Sequence, residues 1–126
     1  MKCLSFAIVM LLMGTVAVAQ TGMDEVVASM KSGNSAQLGR FFDQTVQIHL
    51  PENSGSFSRS KAVEILRNFF ITHPVKGFQL IHAGQHTGSE YCIGTLITLN
   101  GAYRTTIFMQ QSAGVQVLQE IRMERR

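Results

Sequence analysis

Apolar positions along this chain change their spacing twice. An uncharged run from Leu4 to Ala19 stands behind the single cation Lys2. Beyond it, Val26, Val27 and Met30 form a helical stripe behind Asp24 and Glu25, acids well placed in a first turn. Ser32-Gly33-Asn34 stops that helix, and Asn34 or Ser35 can cap the next, where Leu38, Phe41 and Phe42 recur at three- and four-residue spacing. Val46, Ile48 and Leu50 then alternate with Thr45, Gln47 and His49, the pattern of a half-buried strand. Residues 51–58 are rich in Ser, Asn and Gly and read as a polar loop. A third helix is predicted over 60–72, its apolar Ala62, Val63, Ile65, Leu66, Phe69 and Phe70 too broad for a narrow stripe, with Pro74 ending it.

From there the period is two. Strands are predicted over 76–87, with Gly84 a bulge or bend, and over 90–99, 102–110 and 115–123. Gly88-Ser89, Asn100-Gly101 and Ser112-Ala113-Gly114 are the turns between them, Asn100-Gly101 being a strong hairpin signal. Four strands joined by tight turns make an antiparallel meander. The order helix, helix, strand, helix and four strands is an α+β arrangement, a curved antiparallel sheet whose concave face only the three N-terminal helices can cover.

The opening run changes the picture of where the protein works. Ala17-Val18-Ala19 is a small-x-small pattern that a signal peptidase cuts after, so residues 1–19 read as a signal peptide and 20–126 as one domain beginning at Gln20. The run is shorter than the roughly 20 residues of a bilayer span, so no stable anchor is expected after cleavage, and the location is periplasmic or secreted. Removing 19 of the 126 residues leaves 107, one modest core. The mature chain keeps 10 Lys and Arg against 8 acids and only Cys92 of its two cysteines. A scattered net charge of +2 gives no nucleic-acid stripe, and a lone cysteine gives no internal disulfide. Cys92 reads as a small buried residue; Arg122, Arg125 and Arg126 read as a solubilising terminus.

The element order, with Leu38-Gly39-Arg40-Phe41-Phe42-Asp43 before the first strand, Ser60-Lys61-Ala62-Val63-Glu64-Ile65-Leu66 opening the third helix, Phe69-Phe70 closing it and Tyr103-Arg104 after the Asn100-Gly101 turn, resembles the nuclear transport factor 2-like superfamily. These are cystatin-like cones, shared by ketosteroid isomerase, limonene epoxide hydrolase and polyketide cyclase relatives. The whole is similar to small exported bacterial proteins of a domain-of-unknown-function family. The resemblance implies a cone with a pocket at its wide end, and homodimerisation through the sheet.

Enzymes of this cone place a carboxylate inside the pocket, where burial tunes it for proton transfer. Here Asp24, Glu25, Asp43, Glu52, Glu64 and Glu90 fall at helix starts, turns, loops or polar helix faces, and Glu120 and Glu124 alternate onto a face with Gln116 and Arg122. His82 and His86 share a strand face but sit too far apart for a tight metal pair; convergence with His49 would make an open zinc site, yet no cysteine or carboxylate accompanies them at ligand spacing. Neither a catalytic residue nor a cofactor or metal is assigned. Ligand-pocket candidates are Tyr91, on a face with Ile93, Ile97 and Leu99; Tyr103, on a face with Ile107 and Met109; Arg104, a natural anchor for an anion; and His82. Leu96, Phe108 and Leu118 are expected on the outer side of the strands as a dimer face. The reading is a non-catalytic module that binds a small apolar or anionic ligand or another protein, with a small isomerase, hydratase or cyclase as the alternative.

Overall fold

The structure is a computed structural model that describes residues 22–126; the expected signal peptide and its cleavage point lie outside the described residues. Three helices, α1 (Gly22–Ser32), α2 (Ser35–Gly39) and α3 (Arg59–Thr72), cover one face of a six-stranded sheet. Its strands are β1 (Phe42–Leu50), β2 (Asn53–Ser58), β3 (Val75–His86), β4 (Ser89–Thr98), β5 (Gly101–Ser112) and β6 (Val115–Arg125). The sheet order is β2-β1-β6-β5-β4-β3. Every neighbouring pair is antiparallel except β1 with β6, which makes the curved, unclosed sheet a mixed one.

The local punctuation does what the chain's polar residues suggest. Gly33 takes φ +64°, a left-handed geometry that ends α1 without strain on a side chain. Asn34 accepts the amide of Gln37 at 3.0 Å to start α2, and Ser58 accepts that of Lys61 at 3.3 Å to start α3. The loop expected over 51–58 is instead a tight turn at Pro51-Glu52 followed by β2, in register with β1 from Leu50↔Asn53 to Thr45↔Ser58. Small polar side chains have little strand preference of their own. Here the open edge of β1 supplies backbone partners and draws the segment into the sheet.

Val26, Met30, Leu38, Leu66, Ile107, Met109, Ile121 and Met123 are among the residues that fill the space between helices and sheet. At about 25 cal/mol per Å² of apolar surface removed from water, this burial is the main term stabilising a domain without a disulfide. One strand carries the opposite face from the one expected, and a second keeps its expected face at Ile121 and Met123 but turns Leu118 the other way. In β4 the inward residues are Cys92, Gly94, Leu96 and Thr98, while Ile97 and Leu99 are exposed. Gly94 sits beneath the Phe78 ring, and a Cβ there would lie 2.8 Å from the Gln79 carbonyl, so only glycine fits. In β6 the pairing shifts between Phe108↔Glu120 and Met109↔Leu118, leaving Gln119 unpaired. That bulge turns Leu118 inward with Ile121 and Met123.

Candidate functional site

Beside the filled core, an open space lies at the C-terminal end of α3. There a cleft of about 310 Å³ opens between α3, the β1–β2 turn and the adjacent ends of β5 and β6. Ile65, Asn68, Phe69 and Thr72 come from one side of α3, and His73 follows directly. The turn contributes Leu50 to Asn53, β5 contributes Tyr103 and β6 contributes Arg125. Tyr103 and Arg125 are register partners across β5 and β6, so both stand on the helix-covered face.

Three rings build the wall. Phe69 stacks on His73 with centroids 4.2 Å apart and planes 12° from parallel. Tyr103 meets Phe69 edge-on at 5.4 Å and His73 edge-on at 5.7 Å, an arrangement that suits aromatic quadrupoles. His73 is held at its Nδ1, which lies 3.0 Å from the Phe69 carbonyl and 2.8 Å from Thr72 Oγ1. A carbonyl only accepts, and the Thr72 hydroxyl can donate to the Asn68 carbonyl at 3.1 Å. We therefore assign the ring proton to Nδ1, which leaves the Nε2 lone pair of the neutral ring without a partner among the described residues.

The charges around the cleft are not equivalent. Lys61 and Glu64 pair with each other at 3.7 Å. Glu52 and Arg125 take no ion-pair partner among the described residues, so one carboxylate and one guanidinium remain available to a bound molecule.

Of the pocket residues expected from the sequence, Tyr103 alone lines this cleft. His82 and Tyr91 do meet, Nε2 to hydroxyl at 2.9 Å, but on the sheet's outer face. Arg104 is exposed on that face too, beside Thr106 and Phe108, because β5 turns Tyr103, Thr105, Ile107 and Met109 inward. Leu96 and Leu118, expected outside, are both 0% exposed in the core; Phe108 does face outward and is half-buried. Arg125, expected to serve solubility, stands at the cleft, while Arg126 folds back to donate to Thr95 Oγ1 at 3.2 Å. Phe69 and His73 were legible as a helix end but not as a cleft wall. Their i, i+4 spacing is the signal that could have paired them.

Among the described residues the fully buried polar side chains are serines and threonines, and every acid is at least partly exposed. Glu90 accepts from Gln85 and Gln116, Asp43 from Gln119, and Glu120 pairs with His49 at 3.3 Å and Arg122 at 3.4 Å. No three His, Cys, Asp or Glu side chains gather as metal ligands would among the described residues. Cys92 is buried, and burial pushes its thiol up to about 11 against a partial offset from a hydrogen bond with the backbone of Ile107. No described helix is long and apolar enough to cross a membrane.

Known proteins agree with this architecture. A crystal structure of a DUF4783 family protein from Bacteroides ovatus is 27% identical with TM-score 0.78, the match covering 81% of this chain and 93% of that one. A second, from Bacteroides fragilis, is 32% identical with TM-score 0.76, covering 81% and 96%. A putative calcium/calmodulin-dependent protein kinase type II association domain from Thiobacillus denitrificans, 11% identical with TM-score 0.64 over 82% of this chain and 91% of that one, shares the fold alone. An NTF-2 like protein of unknown function from Silicibacter pomeroyi, 10% identical with TM-score 0.59, covers 82% and 89%. No curated protein matches the sequence. The sequence profile of the family described as a domain of unknown function, DUF4783, matches residues 23–124, and with a nuclear transport factor 2-like fold this chain belongs to the DUF4783 family.

Proposed function

We propose that the protein is an exported, non-catalytic binding domain that holds a small apolar or anionic ligand in the cleft beside α3. The observation that carries the reading is the combination of a three-ring wall with an arginine that has no carboxylate partner among the described residues. A volume of about 310 Å³ is at the low end for small-molecule sites, which suits a compact ligand. The absence of a buried acid among the described residues supports binding over proton-transfer chemistry.

The test is a thermal-shift and calorimetric screen of the chain beginning at Gln20 against small apolar and anionic compounds, beside an Asn68→Trp variant. Asn68 is exposed and lines the cleft, so the indole fills the space without disturbing the core. Binding to the parent and its loss in the variant is the expected result. Equal binding to both would remove the cleft from the reading, and chemical conversion of a bound compound would favour the isomerase, hydratase or cyclase alternative. Export rests on the uncharged Leu4–Ala19 run and the Ala17-Val18-Ala19 pattern. Protein recovered from outside the cytoplasm should begin at Gln20; a chain found only inside, still beginning at Met1, would reject export. A second reading, pairing of two copies through the outer face of the sheet, is favoured by Tyr91, Ile93, Ile97 and Phe108 on that face.

A further inference from the structure

Resting on the cleft-binding reading, we propose that the ligand is a single-ring aromatic carboxylate, its carboxylate held by Arg125 and its ring laid against His73, which Phe69 and Tyr103 back. Strand pairing places Arg125 directly across from Tyr103, so the cation and the aromatic wall are neighbours by register and not by chance rotamer. A guanidinium presents two parallel N–H donors that match the two oxygens of a carboxylate. Phe69 and Tyr103 are buried, so the half-buried His73, stacked on Phe69, is the ring offered to the cleft, and a flat π-system stacks on it better than a saturated ring of equal size.

The charge balance selects a monoanion. Lys61 is engaged by Glu64 at 3.7 Å, which leaves Arg125 as the cleft cation without an ion-pair partner among the described residues. Glu52, without an ion-pair partner among the described residues, also lines the space and would repel a second negative charge, so a phosphate dianion is disfavoured. A cleft of about 310 Å³ admits one ring with a short acid side chain.

The experiment is a calorimetric titration with phenylacetate, phenylacetamide, cyclohexylacetate and phenyl phosphate, run on the parent chain and on Arg125→Ala and Arg125→Lys. Arg125 is exposed at a strand end, so both variants should fold, which their thermal unfolding confirms. Phenylacetate is expected to bind most tightly, with at least a tenfold loss in Arg125→Ala, a smaller loss in Arg125→Lys and weaker binding of the amide, the saturated acid and the phosphate ester. If phenylacetamide binds as well as phenylacetate, or Arg125→Ala binds the acid unchanged, the carboxylate assignment is overturned while the cleft reading survives. If neither the acid nor the amide binds the parent chain, the aromatic-carboxylate assignment falls, and the cleft reading is decided by the wider screen with Asn68→Trp.

Discussion

Cys92 pairs across the sheet with Ile107 and Ala83, is 1% exposed, and has its thiol raised from 9.0 to about 11 chiefly by desolvation. A raised folded-state value means that the folded protein favours the neutral thiol more than the unfolded chain does. The stability this contributes is complete below pH 9.0 and disappears as pH climbs through about 11. A shift of two units corresponds to at most about 3 kcal/mol. Urea midpoints between pH 8 and 11 should therefore fall further for the parent than for Cys92→Ala; parallel curves would contradict the assignment. The same residue shows what single positions disclose. The sequence placed Cys92 as small and buried from its β-rich surroundings. It could not place Arg125, whose task depends on which residue of β5 stands opposite it.

At the scale of elements, three helices and five of the six strands were readable from spacing, and the misplaced faces trace to alternation and register. Period-two alternation identifies a strand but identifies its inward face only when one side is clearly polar. In β4, Tyr91, Ile93 and Ile97 on one side and Cys92, Leu96 and Thr98 on the other are both acceptable as core. The choice was made by the partner: Phe78 needs a glycine beneath it, and Gly94 lies on the Cys92 side. In β6 the bulge at Gln119 reversed the count beyond it, as bulges do. In β3 the register slips at Ile81, between Leu80↔Gly94 and His82↔Ile93, and not at Gly84, where the Tyr91 ring lies over the strand. These three decisions moved Leu96 and Leu118 inside and took Tyr91 and His82 away from the cleft, while Arg104 faces out because β5 turns Tyr103 inward. β2 was missed for a different reason, since Asn53–Ser58 gains its strand state from β1 and carries little of its own.

For the whole molecule, the helices satisfy the sheet's inner face and leave the outer one unevenly polar. Toward β1 and β6 it carries His49, Glu120, Arg122 and Glu124 in paired contacts, a solvated ladder. Toward β4 and β5 it carries Tyr91 opposite Phe108, with Ile93 and the 41% exposed Ile97 on the same strand. Tyr91, Ile93 and Phe108 form a short apolar strip, parted from Ile97 by the Thr95–Arg104 pair, and such a strip bordered by charge is the usual mark of an association surface. A second copy fits because a two-fold axis lets the same strip cover itself and sets each copy's charged ladder at the rim. We therefore expect the chain from Gln20 to be a dimer in solution. Phe108 is the residue to change: it is half-buried on the outer face, and its cross-strand neighbour Glu120 would pair with a lysine there inside the monomer. Phe108→Lys should keep the fold, since it adds no buried charge to the core, yet place two cations against each other across the axis. Light scattering should report a dimer mass for the parent and half that mass for the variant. A parent that is already monomeric, or a variant with undiminished mass, would free this face from any role in pairing. The apolar strip would then have to be explained by a different protein partner.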